Sequence, residues 1–458
     1  MKAVVLIPDG MGIRNFVLSP FLNLLAGQAE VLVWHVFSGE ATRSLRAGLD
    51  PAVRWEPLPA FREGVGERLT RLAKVGAQLY WQKLPLTSVF RLKGSFLNKA
   101  FVTGARELAR MNGSPSGLTR LDRAHWWLTA RAGYLKPFTE FLAREKPDVV
   151  FCTHQRASRA VPAMVAAREL GIPTATFIYS WDNLPKGRMP VYADHYLVWS
   201  DWMKQEMLRY YPEVAPERSH ITGTPQFEFY FDSTLRQPRE QFLAAHGLRA
   251  DRPVVCFSGC DLVTSPHDPL YLRDTAAALR EFSEVERPQL LFRPCPTDSL
   301  SRFQSVLAAF PEIAVSQPAW MRYSETDWQQ VAPTREDLRL LVNTSFHSDL
   351  VVNLGSTMAV DFAVADKPSI FVHYSPEGSG GWSPDSGYSL PHFKLIEEAE
   401  IVDWARSPRE IGERIRHVLG SPGERRGLRQ RCVNLITAQP PNESSLRCAE
   451  TLVRIAAR

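Results

Sequence analysis

Short apolar runs alternate with amphipathic stretches along most of this chain. In the first half, the apolar runs at residues 3–7, 31–37, 148–152, 173–179 and 193–199 are predicted to be strands. Helical spacing appears over roughly residues 15–26, 134–144, 159–170 and 201–211. Short strands that are apolar throughout and separated by helices favour a parallel sheet covered on both faces.

A second series of the same kind begins after Gln237-Pro238. Strands are predicted at residues 253–258, 289–292, 350–354 and 369–372, and helices at 269–282, 300–310, 408–419 and 444–457. A chain of 458 residues is too long for one ordinary core. The sequence therefore predicts two α/β domains, residues 1–235 and 236–440, and a C-terminal helix within 441–458 that could cross back to the first domain.

Residues 349–372 carry the clearest candidate chemistry. An apolar run ends at Gly355, Ser356 and Thr357, and the helical pattern that follows carries Asp361 near its start. Unpaired N–H groups at a helix start, together with the helix dipole, suit a phosphate, and hydroxyl groups add further donors. Asp361 would lie within reach of a ribose diol. The alternative is a plain βα turn in which Ser356 only caps the helix.

The segment from residue 60 to residue 136 is strongly basic. It holds 14 Lys and Arg against 4 Asp and Glu, a net charge of +10 in a chain whose total is +5. The same segment is rich in tryptophan, tyrosine and phenylalanine, a mixture that suits an anionic membrane surface or a lipid-linked phosphate. No RNA-binding signature accompanies it, so no nucleic-acid partner is expected. The alternative is a helical insertion whose aromatic side chains face a core.

Cysteine usage and the N-terminus indicate a cytoplasmic protein. The six cysteines are scattered, and the pair Cys256 and Cys260 has no second pair to complete a zinc site. Residues 1–10 read as a strand and a turn rather than a signal peptide, and no apolar run has transmembrane length. We therefore expect a cytoplasmic location, with peripheral contact at the inner face of the membrane through the basic segment.

Residues 148–375 resemble the GT-B glycosyltransferase superfamily, in particular the branch of CDP-glycerol glycerophosphotransferases and related surface-polysaccharide transferases. The segment NLGSTMAVDF is similar to that branch's pair of small residues followed by an acidic residue. The resemblance implies two Rossmann-like domains facing across a cleft, with the basic helical insertion in the first. It also implies that Gly355, Ser356 and Thr357 bind the nucleotide diphosphate and that Asp361 binds the ribose.

Two further segments resemble the donor side of the family. FRPCPTD is similar to its Arg/Lys-x-His-Pro turn, although Cys295 stands where that branch has histidine, which leaves Arg293 as a phosphate contact. VCFSGCD is similar to the start of the donor domain. That likeness implies that Ser258 and Gly259 touch the nucleotide or the sugar.

The segment IYSWDNLPKGR is similar to the family's Trp-His-Gly-Thr-Pro-x-Lys turn. Trp181 and Lys186 stand in matching places, and Asp182 occupies the place of the catalytic histidine. The resemblance implies that Asp182 is the general base that removes the acceptor proton. The alternative is that Asp182 and Asn183 merely form a turn.

Two other loops follow strands on the acceptor side. The first, PDGMGIRN, is not a GxGxxG fingerprint and offers Asp9, Arg14 and Asn15 as acceptor contacts. The second, THQR, offers Arg156 and also His154, which is an alternative base.

These features predict an inverting glycosyltransferase that acts in surface polysaccharide assembly of the capsule or O-antigen kind. A nucleotide-sugar, expected to be a UDP-sugar, is the donor, and a glycan or a lipid-linked molecule is the acceptor. No Asp-x-Asp triplet occurs, so we expect neither a metal nor any other cofactor. The alternatives are a CDP-alcohol glycerophosphotransferase, a nucleotide-sugar 2-epimerase, and a non-catalytic nucleotide- or carbohydrate-binding protein of the same fold.

Overall fold

A computed structural model describes residues 1–86, 90, 95–190, 192–322, 331–398 and 400–457 of the protein. The chain divides into two compact units. The first unit contains Met1–Gln226, the described residues of Arg322–Ala332 and the C-terminal segment that begins at Ile436, and the second contains Phe227–Met321 and Pro333–Leu435.

Seven strands form the sheet of the first unit. They are β1 (Lys2–Ile7), β2 (Glu30–His35), β3 (Arg54–Pro57), β4 (Val149–Cys152), β5 (Thr174–Phe177), β6 (His195–Val198) and β7 (Ser219–Ile221). All neighbouring strands run parallel, in the order β3-β2-β1-β4-β5-β6-β7. The central strands are buried along almost their whole length, which is why they appear in the sequence as unbroken apolar runs.

Helices separate these strands. They are α1 (Gly10–Gly12), α2 (Phe21–Ala26), α3 (Gly39–Leu45), α4 (Val65–Trp81), α5 (Phe96–Met111), α6 (Pro115–Ala130), α7 (Lys136–Glu145), α8 (Val161–Glu169) and α9 (Asp201–Tyr210). The single helix predicted over 15–26 is instead a π-helical turn at Ile13–Val17 followed by α2. Pro20 explains the break, because proline lacks the N–H that a continuous helix would use.

The second unit repeats this plan with other strands. They are β8 (Val254–Ser258), β9 (Gln289–Arg293), β10 (Ala314–Val315), β13 (Leu350–Asn353), β14 (Ser369–Val372) and β15 (Asp403–Ala405). The short strands β11 (Trp320–Arg322) and β12 (Val331–Pro333) pair separately, and the division of the chain into units falls within both of them. The six strands form a parallel sheet in the order β10-β9-β8-β13-β14-β15. The predicted fold class of two parallel α/β, Rossmann-like domains is thus confirmed.

The remaining helices complete the chain. They are α10 (Arg239–Ala245), α11 (Asp268–Arg280), α12 (Gln304–Ala309), α13 (Arg335–His347), α14 (Met358–Val364), α15 (Asp385–Tyr388), α16 (Pro391–Glu398), α17 (Pro408–Gly420), α18 (Arg426–Ile436) and α19 (Ser444–Ala456). Within the described ranges, none of the helices combines the length and the apolar character needed to cross a bilayer.

The basic segment is helical where it is described. It contributes α4, α5 and α6 between β3 and β4, and α5 and α6 both pack on α4. Some of its aromatic side chains, such as Phe90 and Tyr80, do pack against the buried core of this helical group. Residues 87–89 and 91–94 of the predicted basic segment, and Arg458 of the predicted C-terminal segment, lie outside the described residues.

Candidate functional site

The turn after β13 has the predicted strand, turn and helix arrangement. Gly355 adopts φ +64°, and a Cβ at this position would lie 2.7 Å from the ring of Phe393, so glycine is needed here for two reasons. The Ser356 N–H donates to Asn353 Oδ1 at 2.9 Å, and Ser356 Oγ accepts from Met358 N–H at 3.3 Å. Ser356 therefore caps the start of α14.

Two features of this turn leave polar groups that the fold does not fully use. Ser356 is half-buried, whereas Thr357 is exposed. The side-chain amide nitrogen of Asn353 is buried and has no hydrogen-bond partner among the described residues. A buried donor without an acceptor is costly unless water or a ligand supplies one.

Asp361 lies inside the second unit rather than at its surface. Asp361 is 6% exposed, and its Oδ1 accepts a hydrogen bond from the Tyr230 hydroxyl at 2.9 Å. The predicted ribose contact would have to share this carboxylate with Tyr230, a residue that sequence reasoning did not connect to it.

The loop after β8 lies beside the same turn. The Gly259 N–H donates to Arg293 O at 2.9 Å, and Cys260 Sγ lies 3.5 Å from Leu354 O. Ser258 is buried at the end of β8. The carboxyl ends of β8 and β13 are thus adjacent, as expected for strands that pair in a parallel sheet.

A buried carboxyl group supports the loop after β8. Asp268 Oδ2 accepts from Cys260 N–H at 2.6 Å, and the residue is fully buried at the start of α11. Burial raises the pKa of Asp268 to about 7. Sequence analysis missed this group, because an aspartate that begins a helix is usually exposed to water.

Arg293 is part of the core of the second unit. Its guanidinium is 5% exposed, and Nη2 donates to Asp337 Oδ1 at 2.8 Å. Asp337 also accepts from the Trp320 indole N–H at 2.7 Å and from the Ala319 N–H at 3.0 Å. Arg293 thus holds Asp337 through Nη2, while its buried Nη1 has no hydrogen-bond partner among the described residues, so the phosphate contact stays a prediction.

An aromatic layer near the turn was missed by sequence reasoning. The Tyr388 hydroxyl donates to Val372 O at 2.9 Å, and its ring is one of the groups that a Cβ on Gly355 would approach, at 3.1 Å. His373 packs against Tyr388 with ring centroids 4.8 Å apart, and its Nε2 lies 2.7 Å from Asp385 Oδ1. The density of aromatic residues between 371 and 404 was the available signal.

In the first unit, two acceptor-side candidates come together as a pair. Leu6 of β1 pairs in register with Cys152 of β4, so the loops that follow these strands are neighbours. His154 Nδ1 lies 2.6 Å from Asp9 Oδ2, and the two side chains are 10% and 1% exposed. His154 Nε2 has no hydrogen-bond partner in the part of the chain that the structure describes.

Neighbouring groups hold this pair in place. The Met11 N–H donates to the other oxygen of Asp9 at 3.1 Å. The ring of Tyr179 packs against His154 with centroids 4.6 Å apart, and the Tyr179 N–H donates to Gln155 Oε1 at 2.8 Å. The ends of β1, β4 and β5 therefore form one buried polar cluster.

The other two predicted residues of the loop after β1, Arg14 and Asn15, form hydrogen bonds within the protein. Asn15 is buried, and its side-chain oxygen accepts from Arg14 Nε at 3.3 Å. Arg14 also donates to Gln226 Oε1 at 2.7 Å. Arg14 is half-buried and is the more accessible of the two.

Asp182 already has two polar partners. Its Oδ1 accepts from the Asn183 amide at 2.8 Å, and its Oδ2 pairs with the ammonium group of Lys186. The nearby Glu206 is buried, and burial, with a smaller contribution from Asp182, raises its pKa to about 8. The turn that the sequence offered as an alternative to catalysis is therefore present.

Two more predicted residues, Trp181 of this loop and the half-buried Arg156 of the loop after β4, lie against it. Arg156 Nη1 donates to Lys186 O at 3.2 Å, and burial lowers the pKa of Arg156. Trp181 is 4% exposed and packs near Trp202. Throughout the described ranges, no group of three or more His, Cys, Asp or Glu side chains is arranged to hold a metal ion.

Neither models of protein families nor curated proteins match this sequence. Solved structures do match it. A putative UDP-N-acetylglucosamine 2-epimerase from Listeria monocytogenes is 11% identical over 98% of this chain and 94% of its own, with a TM-score of 0.57. S. aureus MnaA with UDP is 9% identical over 100% of this chain and 98% of its own, with a TM-score of 0.54. The UDP-GlcNAc 2-epimerase from Neisseria meningitidis bound to UDP-GlcNAc is 10% identical over 99% of this chain and 100% of its own, with a TM-score of 0.51. At these identities the likeness concerns the fold, and it shows that the chain has the GT-B fold of two Rossmann-like domains.

Proposed function

We propose that the protein is an inverting, metal-independent glycosyltransferase that moves a sugar from a UDP-sugar to a glycan or lipid-linked acceptor. The observation that carries the proposal is the buried pair of Asp9 and His154 at the carboxyl ends of β1 and β4. A histidine whose one ring nitrogen is held by a carboxylate is suited to accept a proton at the other nitrogen.

The hydrogen-bonding geometry gives the two members of this pair different roles. An ionised carboxylate only accepts hydrogen bonds, so Nδ1 of His154 carries the proton that faces Asp9 and Nε2 keeps its lone pair. His154 Nε2 then takes the proton of the acceptor hydroxyl while that oxygen bonds to the anomeric carbon. The bond from this carbon to the diphosphate breaks, and UDP leaves with the electron pair.

This proposal moves the role of base from Asp182 to His154. Both oxygens of Asp182 are engaged, one by Asn183 and the other by Lys186. Asp182 then serves to shape the acceptor-side loop together with Trp181 and Arg156. In the family that the sequence resembles, the catalytic histidine follows a strand. Here that histidine would be His154, which lies in the loop after β4 and not in the loop that carries Asp182.

The donor would bind in the second unit at the turn formed by Gly355, Ser356 and Thr357. The exposed Thr357 hydroxyl and the Ser356 hydroxyl would face the diphosphate, where negative charge develops as UDP leaves, and the positive end of the α14 dipole would favour that charge. The unsatisfied amide of Asn353 supports a polar ligand at this turn. UDP is proposed because two of the similar solved structures hold UDP or UDP-GlcNAc.

The test separates donor binding from turnover. We expect UDP and one or more UDP-sugars to raise the melting temperature in a panel that also contains GDP, CDP and CMP, because a ligand of the native state stabilises it. With the UDP-sugar so identified, His154→Gln should lower kcat by roughly 10²–10⁴-fold and leave the affinity for UDP unchanged. Asp9→Asn should also lower kcat, and circular dichroism would confirm that both variants fold.

The products identify the reaction class. A sugar transferred to an acceptor supports the proposal, whereas an isomerised UDP-sugar without any acceptor would make the protein a 2-epimerase. Transfer of glycerophosphate from a CDP-alcohol would favour the phosphotransferase alternative. If no nucleotide-sugar is converted although UDP binds, the non-catalytic alternative is favoured. Wild-type turnover in His154→Gln would refute the assigned base.

A further inference from the structure

The three helices α4, α5 and α6 of the first unit form a bundle with two distinct ends. Arg68 near the start of α4 lies 3.3 Å from Asn98 near the start of α5, and Gly76 faces Ala109 further along, so these helices run parallel. The position of a Cβ on Gly66 lies 3.5 Å from Leu128, near the end of α6, so α6 runs in the opposite direction. The starts of α4 and α5 and the end of α6 thus lie at one end, which we call the bundle tip.

Large apolar side chains are exposed at the bundle tip. They are Val65, Phe96, Leu97 and Trp127, with exposed fractions of 75%, 83%, 78% and 53%. Single exposed apolar residues are ordinary on a protein surface, but a group of four at one end of a bundle marks an interaction site.

Cationic side chains surround this apolar group. Arg62, Arg68, Lys99 and Arg131 are all exposed. The acidic residues nearby are neutralised or turned inward, because Glu63 pairs with Arg71 at 2.6 Å and Glu67 is buried. An apolar group with a positive rim is complementary to an anionic bilayer, which offers acyl chains beneath negative headgroups.

The middle of the bundle holds the acceptor-side loop. Asp122 of α6 accepts from Arg188 Nη2 at 2.7 Å and from the Tyr192 hydroxyl at 2.9 Å. Gly187 packs against Val75 of α4, where an added Cβ would lie only 2.9 Å away. The loop that follows Asp182 is therefore attached to the same helices that carry the tip.

We infer that the bundle tip inserts into the headgroup region of an anionic membrane, with Phe96 and Leu97 as the main anchors. The functional meaning of this docking rests on the proposed function, because a docked bundle would hold the acceptor-side loop near a lipid-linked acceptor. The docking itself requires only the exposed apolar group and its cationic rim.

Co-sedimentation of the full chain with vesicles tests this inference. The wild type should bind phosphatidylcholine vesicles containing about 30% phosphatidylglycerol more tightly than pure phosphatidylcholine, and less tightly as salt rises. Phe96→Ser combined with Leu97→Ser should weaken binding about tenfold or more through lost apolar burial. Lys99→Glu combined with Arg131→Glu should weaken it on anionic vesicles only.

A matched control uses exposed apolar residues elsewhere. Leu170 and Val285 are 39% and 88% exposed, and Leu170→Ser combined with Val285→Ser should bind vesicles as the wild type does. The inference is overturned if the wild type ignores anionic vesicles at low salt, or if the Phe96 and Leu97 variant binds them normally. It is also overturned if the variant instead dissociates a dimer of the wild type in solution, because the tip would then be an interface between copies.

UDP affinity, measured by calorimetry on the same proteins, distinguishes a failure of the docking proposal from a failure of the proposed function. We expect the tip variant to retain the wild-type affinity for UDP. Membrane binding without any nucleotide binding would refute the proposed function alone, and nucleotide binding without membrane binding would refute the docking alone.

Discussion

Lys74 offers the sharpest test of the structure of the first unit. This lysine lies on α4 and is 1% exposed. Its ammonium nitrogen is 3.5 Å from Asp122 Oδ1 and 4.8 Å from the centre of the Tyr192 ring. Asp122 also forms an ion pair with Arg188, so its carboxylate is shared between two cations. Burial lowers the pKa of Lys74 from 10.5 to about 8, although Asp122 opposes this shift.

The lowered pKa fixes how stability changes with pH. Below pH 8 the lysine is protonated in both states, and the folded state bears the full cost of a buried cation. Between pH 8 and pH 10.5 the folded protein loses this proton while the unfolded chain keeps it, so the free energy of unfolding rises with pH. One pH unit of this difference is worth about 1.4 kcal/mol, so the whole interval corresponds to about 3 kcal/mol.

Lys74→Met removes the buried cation and leaves Asp122 paired with Arg188. We expect the variant to be more stable than the wild type at pH 7, since replacing a buried charge by an apolar group of similar volume is often stabilising. Between pH 7 and pH 10 this advantage should shrink by about 2–3 kcal/mol. Urea unfolding at several pH values, followed by circular dichroism, measures the difference, and amide exchange in α4 confirms that the observed transition includes the bundle.

The comparison needs an exposed lysine as its control. Lys99 lies on α5 of the same bundle and is exposed, so Lys99→Met should change stability by the same small amount at every pH. A difference between wild type and Lys74→Met that does not vary with pH would refute the reasoning. It would mean that Lys74 titrates as it would in water, and hence that α4, α6 and the loop around residue 190 do not enclose it.

Two further predictions concern the loops at the carboxyl ends of the strands. Ser356→Ala combined with Thr357→Ala should weaken UDP binding by several-fold to ~100-fold, because two hydrogen bonds to a charged group are lost, and unchanged affinity in calorimetry would remove the donor site from this turn. Asp182→Asn should keep kcat within about tenfold of the wild type if His154 is the base, whereas a loss of roughly 10²-fold or more in steady-state assays would return the role of base to Asp182.

Sequence patterns predicted the elements far better than the pairings between side chains. The apolar runs predicted the parallel strands because those strands are buried on both faces. The strand, turn and helix around Ser356 was predicted because every residue that forms it is local. By contrast, Asp9 and His154 are 145 positions apart, so their pairing depends on the order of strands in the sheet.

The same limit applies to charged side chains whose partners lie far away in the sequence. Arg293 was predicted at a phosphate because its loop resembles a donor-side motif, yet its partner Asp337 lies 44 positions further along. Asp361 was predicted at a ribose, yet it meets Tyr230 from 131 positions earlier. Lys74 belongs to a segment whose composition indicated a positive surface, and only the packing of α4 and α6 buries it.

The C-terminal helix α19 has a consequence for the order in which this protein can fold. It packs against α2 and β4, and Arg447 Nε donates to Thr222 O at 3.0 Å. Its side chains Cys448, Ala449 and Leu452 are fully buried. The first unit therefore cannot complete the part of its core that α19 covers until residues made after the entire second unit have left the ribosome. During synthesis the second unit has all of its own sequence first, so the first unit, most of which is made earlier, completes its core later.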